Sequence, residues 1–240
     1  MRKRIPTVLT LIMLLVVVTT ASAQEEGGHG GGRTMMELFE ATGLVGYLLV
    51  GCSVIGTTLV IEHIVNLRRS KLAPDDVAEE LQALIEDGAY DDAYEVCQER
   101  PSYLCSVVGA ALTMRHAGYE EMIVGLESAA AEETLKLNTK ISYLSLIGNV
   151  APLLGLLGTV TGMITSFQRI ETLKAPTPGD LAVGVYESLV NTTMGLFIAL
   201  LFLTAYFIFK NNVSKMALSI NLQAVDMIKH LAGKKHEAAA

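Results

Sequence analysis

The sequence lacks any excess of positive charge. Its 18 lysines and arginines stand against 25 aspartates and glutamates, a net charge of −7, and no basic cluster interrupts that balance. This argues against a nucleic-acid partner, because phosphate backbones are met by concentrated positive charge. A cysteine framework is missing too: three cysteines are an odd count, and none has the spacing of metal ligands. Cys52 lies in an apolar run, and Cys97 and Cys105 lie in an acidic helical region. All three read as small buried hydrophobes in a reducing compartment. No phosphate loop, nucleophile–base arrangement or metal motif is present, so neither an enzyme nor a bound cofactor is expected. The inverted repeat and paired broken helices of a secondary transporter are also missing.

Charge itself is scarce in three long stretches, and these organise the chain. Ala41 to Ile61 and Ile141 to Phe167 carry none, and Leu181 to Phe209 carries only Glu187. As a helix the last stretch would reach about 44 Å, ample for a bilayer core of roughly 30 Å. Hydrophobic residues make up 51% of the chain, which fits a mixed membrane and soluble architecture. The expected fold is all-α: a three-span helical membrane protein whose long helices extend into the cytoplasm, with a small cytoplasmic helical bundle.

The segments follow in order. Residues 1–23 have the form of a signal peptide, with Arg2, Lys3 and Arg4 ahead of an apolar run and Ala21-Ser22-Ala23 as the cleavage site. Residues 24–40 form a glycine-rich periplasmic segment and residues 41–64 the first span, closed by Glu62 and His63. Arg68, Arg69 and Lys71 then mark the cytoplasmic side. Residues 65–140 form the cytoplasmic domain. Between Leu72 and Glu133 it holds 15 acidic residues against Arg100 and Arg115. Pro74 with Asp75 and Asp76 starts one helix there, Asp87-Gly88 ends it, Ala89 to Glu99 is a second, and Tyr103 to His116 a third, closed by Gly118. A helix from Tyr119 enters the second span, residues 141–168. Residues 169–180 are an outer loop, 181–209 the third span, and 210–240 an amphipathic cytoplasmic helix with a tail.

Glu187 is the candidate functional residue, because a charged carboxyl inside a membrane helix costs about 2.5 kcal/mol or more and needs a partner or a proton. At ~100° per residue, Asn191, Gly184, Gly195, Ser188, Ala199 and Thr192 follow it on one side of its helix. In the second span Ser145, Gly148, Pro152, Gly155, Thr159, Gly162 and Ser166 lie within about 60° of Thr159 by the same count. Lipid would not select such a stripe, whereas a packed interface or a wet lumen would. If the two faces meet they form a narrow polar seam in which Glu187 exchanges protons. A structural carboxyl that fixes helices together, or one that neutralises a cation in a channel, satisfies the same pattern.

The residues also carry a resemblance. PLLGLLGTVTGMITSF, Pro152 to Phe167, resembles the second-span signature of the ExbB/TolQ/MotA proton-channel family, and ESLVNTTMGL, Glu187 to Leu196, resembles the third-span signature of its ExbB and TolQ branches. The resemblance implies a pentamer in the inner membrane, embedded in lipid, around a dimer of a single-span ExbD/TolR-like subunit. Such a complex uses the proton motive force to move a TonB-like periplasmic transducer for outer-membrane transport. By position Glu187 matches the proton-handling glutamate, and Thr159 and Thr192 match threonines along its pathway. Asn191, Thr193, Ser188 and Ser166 are candidate lining residues, and Gly155, Gly158, Gly162 and Gly195 candidate packing residues. The exchanging aspartate would belong to the central subunit. Asn191 and Thr193 make this neighbourhood more polar than the family pattern. The four-span MotA branch lacks the glutamate, and the signal-like N-terminus favours an ExbB-like over a TolQ-like reading. A Tol-Pal-type envelope motor and a non-conducting scaffold remain the alternatives.

Overall fold

A computed structural model describes residues 43–173 and 178–237; within these ranges the side chains of Pro178, Asp180, Leu181, Val183, Glu187 and residues 230–237 lie outside the description. The expected signal peptide, the glycine-rich segment and residues 174–177 of the outer loop are therefore outside the described residues. Among those described, every regular element is helical: α1 (Gly43–Asn66), α2 (Arg69–Leu72), α3 (Asp75–Asp87), α4 (Tyr90–Glu99), α5 (Tyr103–Thr113), α6 (Tyr119–Thr172) and α7 (Pro178–Glu237). Three of them, α1, α6 and α7, are long and apolar enough to cross a membrane.

The chain divides into two compact units. The first gathers the described residues up to Ile61 with Leu144–Ala205, that is, parts of α1, α6 and α7. Its outer surface is the reverse of a water-soluble one: Leu44, Ile55, Leu153, Leu156, Leu189 and Leu200 are all exposed. An apolar surface of that extent needs lipid or partner helices to cover it. Inside, Val45, Leu49, Ala151, Ile198 and Phe202 are buried, and the Phe202 ring lies where a side chain on Gly56 would stand. Pro152 sits within α6 without ending it, a substitution that membrane helices tolerate because neighbouring groups satisfy the freed carbonyl.

The second unit comprises Glu62–Tyr143 and the chain from Tyr206 onward. It has a conventional apolar core of Leu81, Leu104, Val107, Val108, Leu112, Leu126, Ile220 and Ile228. Local chemistry sets its helix ends. Asp75 and Asp76 lie in the first turn of α3, where backbone N–H groups favour negative charge, and Gly88 closes it at φ 84°. Ser102 caps α5 by accepting from the Cys105 amide at 3.2 Å. Two departures from the expected elements are local. The third bundle helix ends at Thr113, before His116, because Met114 and Arg115 donate to Ala111 and Leu112 in a tighter final turn. The first span continues past Glu62 and His63 to Asn66, and Arg68 then donates to the Ile64 carbonyl at 2.9 Å.

Both arginines of the acidic segment make ties between elements. Arg100 reaches Asp76 at 3.4 Å and Glu80 at 3.3 Å, and Arg115 reaches Asp91 at 2.6 Å. The acids in these pairs are exposed, so each is worth about 1 kcal/mol or less. A buried phenol does more. The Tyr103 hydroxyl lies 3.0 Å from Thr134 Oγ1 on α6, 3.0 Å from Asn221 Oδ1 on α7 and 3.2 Å from the Ala130 carbonyl. Its single proton serves one acceptor at a time while Thr134 donates to its oxygen. Tyr103→Phe is expected to lower stability by about 1 kcal/mol, and more if Asn221 is left unsatisfied. Chemical denaturation of this variant in detergent, with helicity as the signal, checks it; an unchanged midpoint would mean that the hub is solvated.

Candidate functional site

In the first unit α6 and α7 pack antiparallel along a line of small residues. Along the stretch from Gly155 to Ser166, close approaches pair a glycine on one helix with a small or polar residue on the other, while nearer the other end of the contact Gly148 faces Leu203. A side chain on Gly162 would overlap the Ser188 hydroxyl, and one on Gly184 would overlap the Ser166 hydroxyl. Each serine thus occupies the space that the facing glycine leaves open. One turn further along, a Cβ on Gly158 would lie 2.7 Å from Asn191 Cβ, and one on Gly155 would lie 3.0 Å from both the Asn191 carbonyl and Thr192 Cα. Beyond that, a Cβ on Gly195 would stand 2.6 Å from the Ala151 carbonyl oxygen. Helix backbones come this close only where side chains are missing.

The hydroxyls in this seam are hydrogen-bonded. Ser166, Ser188 and Asn191 are each less than 5% exposed. The Ser166 hydroxyl donates to the Gly162 carbonyl at 2.8 Å and that of Ser188 to the Gly184 carbonyl at 2.7 Å, each within its own helix. Such back-bonding satisfies a hydroxyl that cannot reach water. Thr192 makes the cross-helix bond, its Oγ1 donating to the Gly155 carbonyl at 3.1 Å.

The structure therefore brings together Gly155, Gly158, Gly162 and Ser166 of α6 with Gly184, Ser188, Asn191, Thr192 and Gly195 of α7. Glu187 falls within this stretch of α7, one residue before Ser188 and one turn before Asn191; its side chain is outside the described ones. Thr159 flanks the seam. Its hydroxyl donates to the Leu156 carbonyl at 2.7 Å, and it opens onto an outward groove with Val160, Met163, Ile164 and Phe167. Thr193 is exposed on another face of α7 and donates to the Leu189 carbonyl at 2.9 Å. Among the described residues no group of His, Cys, Asp and Glu is arranged to hold a metal.

Chemically, the seam is a dry, close-packed strip with hydroxyl and amide groups along one side. A carboxyl presented to such surroundings pays a desolvation cost when charged, and hydrogen-bond donors to its charged form oppose that cost. Two polar features of the second unit went unseen in the sequence. His63 is only 2% exposed, its ring packs 5.5 Å from that of Phe209, and neither ring nitrogen has a hydrogen-bond partner among the described residues. Cys97 and Cys105, read from the sequence as small buried hydrophobes, line one small cavity.

The profile of the MotA/TolQ/ExbB proton channel family matches residues 103–221, a stretch that contains both α6 and the seam-forming part of α7. A biopolymer transport protein ExbB homolog from Methanothermobacter thermautotrophicus is 25% identical over 174 residues, covering 72% of this chain and 62% of that protein. The Tol-Pal system protein TolQ of Pseudomonas aeruginosa is 36% identical over 78 residues, covering 32% of this chain and 34% of its own length. In both cases the chain spans less than two thirds of the relative. Among solved structures, C. jejuni MotAB matches with a TM-score of 0.59 at 18% identity, covering 94% of this chain and 89% of that one, a likeness of fold. Matched by the family profile across the seam, and similar to ExbB and TolQ proteins in sequence, the chain belongs to the MotA/TolQ/ExbB proton channel family.

Proposed function

We infer that this chain is the proton-channel subunit of an ExbB–ExbD-like motor in the inner membrane. In this reading it assembles as a homopentamer around a single-span ExbD/TolR-like partner and uses the proton motive force to energise a TonB-type periplasmic transducer. The N-terminus lies in the periplasm after signal cleavage, the second unit lies in the cytoplasm, and the outer loop returns the chain to the third span. Glu187 takes and releases the proton, with Thr159 and Thr192 along its path and Ser166, Ser188, Asn191 and Thr193 as further lining groups. One observation carries the reading: the only strongly ionisable position of the third span falls in the part of α7 that is zipped to α6 by buried serines, an asparagine and glycines. A proton falling through 100 mV releases about 2.3 kcal/mol, enough per transfer to bias a mechanical step.

Proton flux into liposomes tests this directly. With the chain and its single-span partner co-reconstituted, an imposed membrane potential is expected to drive proton uptake reported by an internal pH dye. The chain alone is expected to give none, because the exchanging aspartate is on the partner. Conduction by the chain alone would instead make it a self-contained channel. The identity to TolQ favours a second reading in which the same motor serves a Tol-Pal-type system. Co-purification with a Tol-Pal-type rather than a TonB-type transducer would select it.

A further inference from the structure

Three features of the molecule remain outside that reading: the buried His63, a groove near Arg69 and Lys215, and the two thiols of the second unit. The thiols carry an inference furthest. Cys97 lies near the end of α4 and Cys105 in the first turn of α5, so the reversal at Arg100–Ser102 folds one back on the other. Room for the contact comes from Gly109, one turn beyond Cys105: a Cβ there would lie 3.5 Å from Cys97 Cβ and 3.9 Å from its sulfur. Cys97 is thereby seated against the turn of α5 that carries Cys105. Both line an open cavity of about 250 Å³ with Tyr94, Gln98, Ser106 and Gly109. Cys97 is half-buried and Cys105 fully buried, so the cavity is the route by which a small solute reaches the second sulfur.

We propose that Cys97 and Cys105 form a reversible dithiol–disulfide site that reacts with hydroperoxides admitted through this cavity. Cys105 is the attacking group. Hydrogen bonds from the Cys97 thiol and from Ser102, with the positive charge of Arg100, lower its pKa to about 6 despite burial. Cys97, as the donor in that bond and also desolvated, is pushed the other way. Arg100, whose charge acts on Cys105, is itself paired with Asp76 and Glu80. The Cys105 thiolate attacks one peroxide oxygen. A sulfur–oxygen bond forms as the oxygen–oxygen bond breaks, and the released oxygen takes up a proton to leave as water or alcohol. Cys97 then attacks the resulting sulfenic acid: the sulfur–sulfur bond forms, the sulfur–oxygen bond breaks, and the leaving hydroxide carries off the Cys97 proton as water. Two thiols are oxidised by two electrons and the peroxide is reduced. Under the topology proposed above the site faces a reducing compartment, where such a disulfide is transient.

Cys52 in α1 supplies an internal control. The purified full-length chain, reduced and freed of reductant, is exposed to hydrogen peroxide, alkylated and mapped by mass spectrometry. The expected product is a single intrachain link between the Cys97 and Cys105 peptides, reversed by dithiothreitol, with Cys52 still alkylated. With a thiolate half formed near pH 6, the link should form about 10-fold faster at pH 7.5 than at pH 5. Cys97→Ser should leave a sulfenic acid at Cys105 that dimedone traps, and Cys105→Ser should leave Cys97 unreacted on the same timescale. Oxidation of Cys52 at an equal rate, a link between chains, or a rate that rises only near the ordinary thiol pKa would overturn the proposal. The mapping on the unsubstituted chain decides the matter even where a variant fails to fold.

Discussion

A Glu187→Gln chain is expected to accumulate and assemble as the unsubstituted chain does, yet to lose proton flux and energy-dependent function to background. The argument is a difference between two states of one side chain. A carboxyl can be neutral or charged, and each passage of a proton requires both forms in turn. The amide has nearly the same shape, keeps a donor and an acceptor, and has only the neutral form. In a helix zipped to its neighbour by satisfied hydroxyls, Gln avoids the roughly 2.5 kcal/mol or more that a charged carboxyl costs in a membrane helix. The fold should therefore not suffer. The scaffold reading predicts the opposite pattern: if Glu187 only holds helices together, Gln preserves function along with assembly. Dye-reported uptake in liposomes, beside blots and recovery of the assembled complex, separates the two. Retained flux with normal assembly would remove Glu187 from the proton path.

Much of the fold could be read from the residues because its signals are local. Pro74 with Asp75 and Asp76, Gly88, and the three long charge-poor runs each act within a few residues, and α3, α4 and the three long helices stand where those signals put them. The polar seam was legible for a different reason. Glycines and hydroxyls recurring at intervals of three and four define a face, and two such faces on helices joined by a short loop are natural neighbours. The centre of that face was less legible. Angular counting put Thr159 in the middle, whereas closest approach runs through Gly155, Gly158 and Gly162, one step of the helix away. Periodicity reports which residues share a side; the contact line is set by the residues that have no side chain to hold the partner off.

Features assembled from distant segments left no linear trace. The burial of His63 depends on Phe209 from α7, and the Tyr103 hub depends on Thr134 and Asn221. The Cys97–Cys105 contact arises from the reversal between α4 and α5 together with the opening at Gly109. Neither the odd cysteine count nor the separation of these two thiols along the chain points to it. Each case requires knowing which helix faces which, and that is information the amphipathic pattern of a single helix does not hold.

The second large effect is expected at Gly195. Adding one methyl group there places a carbon 2.6 Å from the Ala151 carbonyl oxygen and 3.2 Å from Gly155 Cα. Both neighbours are backbone, so no rotamer change relieves the overlap, and α6 and α7 must separate. That separation weakens the Thr192 bond to the Gly155 carbonyl and loosens the interlock of Ser166 and Ser188 with their facing glycines. Overpacking of this kind costs about 1–3 kcal/mol, against a gain of up to about 1 kcal/mol from replacing a helical glycine by alanine. The clash should dominate, with a fall in Tm of roughly 4–8 °C for a net loss near 2 kcal/mol in a chain of this size. Gly51→Ala is the matched control. Nothing lies within 4 Å of its added carbon, so only the propensity gain remains and Tm should hold or rise slightly. Thermal unfolding of both variants in the same detergent reads the contrast. If Gly195→Ala melts with Gly51→Ala and conducts protons normally with its partner, α6 and α7 do not approach as closely as this packing requires.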